Sequence, residues 1–504
     1  MVKRILLILL WIVLLGGGFV FYWIQDANRI KPELEQLIEE QAGIPVTIGG
    51  DLSWSLFPPL TLKAEQIAAS YEGQDWSAER LSMDIDVMTV LRTRDVNRWR
   101  VQSLSLTNTV GRDAQTEIDI KSLTLREFEL GKPSPVDIAL VYTSESAEPL
   151  PVAMNGLVTV RTDPDRYEVA DANLSTPHAD GVCNLEATPV SNSAPLPAVT
   201  PEDLIPVATW RAFDWSGRCD LSRLALDDLT FDSATVDLAN TAAKSATQIT
   251  IPQFFGGTAI LTLEIDASGT PVRWTLTPDL NGVDSQWLMA WLDQRLEWMA
   301  PLAYNGTLRF EGNTTDALIA SLSGETRFDG GQGAISIIKI KQPLLAVATM
   351  LQEPGRVSGW PDLWQYDRLQ GVWRADRQYH TLDFALDNLS VVADGNYDPA
   401  ADRLDMMAEL TFRTLTEGKM FELNPVLMDL PIPVRCRGSL EDPDCGVDQK
   451  AAQRIVASVL TTKEGNKARE KLEEKIDEEV PEEYREAARG LLDLLGRSLQ
   501  DKSQ

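Results

Sequence analysis

Histidine is almost absent, with His178 and His380 the only two in 504 residues. A histidine-based triad or a histidine-rich metal site therefore has almost nothing to draw on. Positive charge is scarce as well. Lys and Arg number 46 against 75 Asp and Glu, a formal net charge of -29. That field repels nucleic acid, and no basic patch with interleaved aromatics offsets it; the acidity serves solubility. No Walker lysine pattern and no HExxH occurs. Gly330-Gly331-Gln332-Gly333 lacks the spacing and the strand–helix context of a dinucleotide loop and reads as a turn. Paired carboxylates such as Asp405 and Glu409 recur throughout so acidic a chain and carry no signal for acid–base work. The expectation is a chain that is not an enzyme, with no cofactor, no metal and no nucleic-acid partner.

What is present is an ordinary globular balance, 44% hydrophobic and 24% charged, on a chain long enough for real cores. Lys3 and Arg4 precede an uncharged run from Ile5 to Ile24 that includes Leu10, Leu15 and Val20. At 1.5 Å per residue such a run spans roughly 30 Å, the hydrocarbon thickness of a bilayer. The basic flank places it as a membrane anchor with everything after Asp26 outside the cytoplasm. Gly16 and Gly18 leave a cleaved signal peptide as the alternative, but Phe19-Val20-Phe21-Tyr22-Trp23-Ile24 carries the apolar run past that point.

The four cysteines are even in number. An oxidising compartment fits two local bridges, Cys183–Cys219 and Cys436–Cys445, each stabilising by about 2.5–4 kcal/mol on the loop-entropy model. Four buried thiols, or a long-range connectivity, are the alternatives.

A helix is expected from about Pro32 to Ala42, with Ile30, Leu34, Leu37 and Ile38 on one face and Gly43 at its end. Val46 to Ile48 and Leu52 to Leu56 read as a hairpin around Gly49-Gly50-Asp51, the register that puts Ile48 and Leu52 on one face. Pro58-Pro59 ends that strand and Leu60 starts another. From there to about residue 440 period-two strands dominate. Leu81, Met83, Ile85 and Val87 alternate with Ser82, Asp84 and Asp86; Leu104 and Leu106 with Ser103 and Ser105; Leu404, Met406, Leu410 and Phe412 lie on one face of another. Leu104 to Asn108 and Leu224 to Asp228 share a short pattern without fixed period, which suggests successive antiparallel strands. Residues 189–206 form a Pro/Ser-rich excursion. Helices are expected over Trp287–Met299 and Gln342–Gln352, and beyond residue 446, where Gln449–Thr461, Lys467–Glu479 and Glu482–Leu499 carry helical patterns.

About 20 strands at ~4.8 Å would make an open sheet on the order of 95 Å long, which must curl, split or cover its apolar face. From periodicity alone a closed sandwich or barrel core is the favoured reading. A trough, apolar inside, would instead solvate acyl chains at about 0.8 kcal/mol per CH₂.

Lys31-Pro32, Leu34, Leu37, Gly43, Val46, Ile48, Gly50, Leu52, Trp54-Ser55, Pro58, Leu60 and Leu62, behind an apolar helix, resemble the N-terminal signature of the AsmA family. Leu430-Pro431-Ile432-Pro433-Val434, Gly438-Ser439-Leu440 and Asp442-Pro443, followed by a helical tail, look like that family's closing strands. The resemblance implies a single-pass protein of the inner membrane of a Gram-negative bacterium, with its bulk in the periplasm. It implies likeness to larger bridge-like proteins that resemble eukaryotic chorein-type lipid transporters. It also implies a part in outer-membrane biogenesis, through phospholipid transport or outer-membrane protein assembly. The expected fold is mainly β: a long twisted, mostly antiparallel sheet curled into an elongated chorein-like groove, with an N-terminal transmembrane helix and a C-terminal helical segment. The expected parts are 1–28 (basic flank and anchor), 29–445 (periplasmic β domain) and 446–504 (helical tail). Leu81, Met83, Ile85, Val87, Leu104, Leu106, Leu404, Met406, Leu410 and Phe412 would line the groove, with the Trp-rich helix at one end. Expected partners are the inner membrane, phospholipid and outer-membrane assembly components. The alternative is a non-catalytic scaffold or regulator of outer-membrane protein assembly or of protein targeting to the membrane.

Overall fold

The structure, a computed structural model, describes residues 27–42, 44–55, 59–71, 74–86, 100–112, 116–144, 147–190, 203–350, 355–399, 401–415, 418–423, 428–440 and 442–447. The anchor residues Ile5, Leu10, Leu15, Val20 and Ile24, the middle of the Pro-rich excursion, Val87, the Leu37 side chain and the C-terminal helical patterns lie outside them. Among the described residues no helix is long and apolar enough to cross a membrane. What is described is mainly β, an open antiparallel arrangement of twenty-five strands with few helices. The chain divides into two compact units, Met1–Gln248 and Ile249–Gln504.

The first unit opens with a 3-10 turn, Ala27–Ile30, and α1, Lys31–Ala42. Pro32 and Glu33 suit the first turn, where amides are unpaired and the helix dipole is positive. β1 (Val46–Ile48) and β2 (Leu52–Ser55) do not form the expected hairpin. Both pair with β3 (Leu60–Tyr71), Ile48 opposite Ile67 and Leu52 opposite Ala64. The chain runs straight on because Gly49 and Gly50 keep pairing with it, their amides donating to Gln66 O at 2.9 Å and Glu65 O at 3.0 Å. A Cβ on Gly50 would sit 2.7 Å from that second oxygen, so only glycine permits the approach. Ile48 and Leu52 nonetheless share a face, buried with Ala27 and Ala64 beneath Ile30 and Leu34.

α1 and the turn before it also close the outer edge of this strand pair. Glu35 Oε1 accepts from Ile48 N at 2.6 Å, Asn28 Oδ1 accepts from Leu52 N at 2.8 Å, and Lys31 Nζ donates to Gly50 O. Polar groups that would otherwise template another strand are occupied.

The ladder continues through β4 (Gln74–Ile85), β5 (Val101–Arg112), β6 (Thr116–Phe128), β7 (Ser134–Ser144), β8 (Ala147–Thr162), β9 (Asp165–Ser175) and β10 (Ala179–Pro189). Beyond α2 (Val207–Ala212) come β11 (Phe213–Leu226), β12 (Leu229–Phe231) and β13 (Ala234–Thr241). Consecutive members from β3 to β11 pair antiparallel. A crease crosses β3 to β6, where Gln66, Glu79, Asn108 and Lys121 are each skipped in the register. Gln66 and Asn108 take left-handed φ of 52° and 48°, and Asn108 Nδ2 donates to Glu79 Oε2 at 2.5 Å. Across the crease the apolar positions are three apart, Ala64 to Ile67 and Ile120 to Leu123, so one face stays apolar while the strand bends. Cys183 lies directly opposite Cys219 on β10 and β11, and the two are bonded.

The boundary between units falls inside β14 (Lys244–Phe254). The second unit then holds β15 (Gly257–Asp266), β16 (Arg273–Asp284), α3 (Ser285–Trp291), β17 (Trp298–Met299), β18 (Pro301–Glu311), α4 (Thr315–Ser321) and β19 (Ser323–Ser336). α5 (Ile338–Met350) and α6 (Gly355–Ser358) precede β20 (Leu363–Asp376), β21 (Tyr379–Leu386), β22 (Leu389–Asp398), β23 (Arg403–Phe412), β24 (Ile432–Gly438) and β25 (Pro443–Val447). The second disulfide, Cys436–Cys445, joins β24 to β25.

The helix expected over Trp287–Met299 is shorter. Asp284 caps it, accepting from Gln286 N at 2.9 Å, and it ends at Trp291; Asp293 follows with a φ of 53°. Trp298 instead pairs with Ile335 as part of β17 and is buried, while Trp287 stands in solvent. The Gly330–Gly333 run is not a turn but a bulged stretch inside β19. Its glycines make room for a buried pair, Trp298 Nε1 donating to Tyr366 Oη at 2.7 Å; a Cβ on Gly333 would lie 2.7 Å from that oxygen.

Asn28→Ala combined with Glu35→Ala leaves two edge amides without acceptors. The double variant should lose about 1–2 kcal/mol in urea unfolding and scatter more light at high concentration. Unchanged stability and monodispersity would show that the edge does not depend on them.

Candidate functional site

The first unit carries one continuous apolar face. Ala64, Leu81, Leu106, Leu123, Ile138, Met154 and Leu174 come one from each strand from β3 to β9, each directly opposite the next. A second row, Leu62, Met83, Leu104, Leu125, Val136 and Gly156, runs beside it. Ile85, between Leu60 and Val101, begins a third. Six strand spacings of about 4.8 Å make this wall roughly 29 Å across. Ala64 and Ile85 are buried; the other leucines, isoleucines, valines and methionines of the two rows are neither sealed nor free but half-buried. The unit's helices pack at its margins, α1 on β1 and α2 on β11.

The structure thus gathers Leu81, Met83, Ile85, Leu104 and Leu106 as the sequence pattern places them, and Val87 lies outside the described residues. The pattern had not singled out Leu62, Leu123, Leu125, Val136, Ile138 or Met154. Leu123 and Leu125, alternating with Ser122 and Thr124, carried the same signal.

Leu404, Met406, Leu410 and Phe412 belong to the second unit and sit differently. Leu404, Leu410 and Phe412 are packed shut, at 6%, 3% and 0% exposure; only Met406, between Gly395 and Cys436, is half-buried. Phe421 drives the closure. Its ring stacks on Trp364 at 4.0 Å and lies 4.9 Å from Trp360 and 5.8 Å from Phe412. Buried Asn388 holds it, accepting from Phe421 N at 2.7 Å and donating to Phe421 O and Arg413 O. Leu344 and Ala348 of α5 add further buried bulk.

The opposite surface is polar and stitched by cross-strand ion pairs. Arg374 reaches Glu325 and Asp383 at 2.8 and 3.0 Å. Arg435 grips Asp405 with two bonds of 2.8 Å and, with Arg437, holds its carboxyl down to about 2. Among the described residues no three His, Cys, Asp or Glu side chains are grouped as metal ligands.

His380 interrupts the apolar face of the second unit. It stacks flat on Trp373 with centroids 5.7 Å apart and meets Tyr397 edge-on. It is buried, its Nε2 has no hydrogen-bond partner among the described residues, and burial pushes its ionisation below the ordinary range. A histidine in the unfolded chain titrates near pH 6.5. Below that pH the unfolded chain takes up a proton that the folded chain refuses, so stability falls as pH drops through this window. The urea midpoint should therefore shift down between pH 7.5 and 5, above the range where the carboxylates dominate, and shift less in His380→Phe. Equal shifts would place the acid sensitivity elsewhere.

No curated protein matches this chain, and no solved structure does. A family model matches residues 1–122. That stretch contains α1, the closed strand edge and the first three full-length strands of the apolar wall, β3 to β5. The model is that of the AsmA family, to which residues 1–122 are similar.

Proposed function

We propose that this is an envelope protein of outer-membrane biogenesis that carries phospholipid by its acyl chains along the wall of the first unit. The family match supports a membrane-associated envelope role. The observation that carries the lipid reading is the half-buried double row from β3 to β9, an apolar surface too continuous to be incidental. Such a surface is stabilised by contact with hydrocarbon at about 25 cal/mol per Å² removed from water. The acidic exterior disfavours anionic head groups, so tails are held and heads stay in solvent. The uncharged Ile5–Ile24 run behind Lys3 and Arg4 supports a single-pass inner-membrane anchor, and two disulfides suit a periplasmic location. The role is non-catalytic, and the partners are the inner membrane and phospholipid.

A second reading, a scaffold or regulator of outer-membrane protein assembly or of protein targeting to the membrane, draws on the second unit. Its interior is closed by Phe421, Trp360 and Phe412, and it offers other molecules mainly its outer surface.

A photocrosslinking residue at Met83 or Leu104 of the full chain in cells should capture phospholipid, whereas one at Leu410 should not. Absence of lipid at both wall positions, with protein adducts in its place, would overturn the first reading in favour of the second.

A further inference from the structure

On the polar face of the second unit, the strand ends of β16, β18, β19 and β20 gather three arginines around one cavity. Thr275 lies opposite Arg309, Arg309 opposite Ser323 and Ser323 opposite Asp376, one row across the four strands. Arg273 and Glu311 pair two residues further along β16 and β18. Arg377 follows Asp376 with a φ of 57°, and its amide donates to Leu322 O at 2.7 Å, which holds this turn against the start of β19. The cavity they line measures about 260 Å³, with Arg273, Arg309 and Arg377 all on its wall.

The charges there are not balanced. Arginines elsewhere on this face are tied to carboxylates, Arg327 and Arg374 to Glu325 and Arg435 to Asp405. In the cavity only Arg273 is so tied, to Glu311 at 3.6 Å. The guanidinium groups of Arg309 and Arg377 are exposed and make no ion pair or hydrogen bond among the described residues. Asp376 shares the cavity and pairs with neither. Three arginines against two carboxylates leave one positive charge in excess, inside a protein of formal net charge -29. Salt screens charges beyond about 10 Å, so an anion in the cavity feels this local excess more than the distant acidic surface.

A guanidinium presents its donors as a planar fork that meets two oxygens of a phosphate at once. Two unengaged forks on one wall suit a tetrahedral group with several oxygens, and the hydroxyls of Thr275 and Ser323 add donors beside them. The volume lies just under the roughly 300–1,000 Å³ of sites for drug-sized ligands, so a phosphate on a small alcohol fits and a whole lipid does not.

We propose that this cavity binds a phosphate ester group, either on a soluble small alcohol or as a phospholipid head presented at a membrane surface. Arg309 and Arg377 grip the phosphate oxygens, and Arg273, steadied by Glu311, borders them. Asp376 opposes the anion and tempers its affinity. The site belongs to the second unit and does not depend on acyl chains lying along the wall of the first.

The test uses the full chain in phosphatidylcholine nanodiscs. One arm titrates it calorimetrically with glycerol 3-phosphate. The other floats it with phosphatidylcholine vesicles, with and without phosphatidic acid. Binding is expected in at least one arm. Arg309→Gln/Arg377→Gln should weaken it by about tenfold or more, and Asp376→Asn should strengthen it. The double variant should keep the parent's urea midpoint, because neither guanidinium has a partner to lose. Arg368→Gln/Arg403→Gln removes the same charge from the same unit and should bind like the parent. Arginine-dependent binding of glycerol 3-phosphate alone assigns the site to soluble esters; arginine-dependent capture by phosphatidic acid vesicles alone assigns it to a membrane surface. No binding in either arm, an equal loss in the control pair, or no gain in Asp376→Asn would overturn the proposal.

Discussion

An antiparallel ladder of alternating residues is apolar along the whole of one face, and that face must be kept from water. Every other feature of this chain answers to that constraint. Two packed layers are the usual solution, but the two units solve the problem differently. In the second, Phe421 packs against Trp360, Trp364 and Phe412, and Leu410, Phe412 and Ile432 become an ordinary core. In the first, α1 and α2 pack at the margins and the rows between them stay half-exposed. One sequence pattern yields a sealed interior in one place and a half-exposed surface in the other.

An open ladder has a second cost, at its edges. Side chains of the first helical turns complete the hydrogen bonds of β1 and β2, so the described chain begins with its strand edge already satisfied. Glycines act where backbone must approach backbone or an aromatic group: Gly50 against Glu65, and Gly330 and Gly333 against Trp298 and Tyr366. The crease at Gln66, Glu79, Asn108 and Lys121 bends the sheet without turning its apolar side outward, because the alternation shifts by one residue at the same level on each strand while the pairing register stays unchanged. A slip on one strand alone would have inverted its face.

The charge pattern separates the two faces of the ladder. Cross-strand ion pairs such as Arg435–Asp405 lie on the polar surface and order neighbouring strands. Of the buried titratable groups described in the second unit, His380 has its ionisation pushed down by burial and packs between Trp373 and Tyr397.

The sequence by itself determined the elements whose signal is local. Alternation gave the strands and the residues of the wall on β4 and β5; proline and helical spacing gave α1. The even cysteine count fitted two local bridges, although thiols or other connectivities satisfied the same count. Only the tertiary structure decided the rest. Whether β1 and β2 form a hairpin or one strand depends on what lies across from Gly49 and Gly50, and β3 follows them in the chain. Whether Trp298 ends a helix or joins a strand depends on Ile335, nearly forty residues on. Above all, Leu104 and Leu410 are indistinguishable as letters in an alternating run; one is half-buried and the other sealed, on the strand whose Phe412 packs against Phe421. Periodicity fixes which side of a strand is apolar, while exposure is set by residues distant in sequence that no local pattern names.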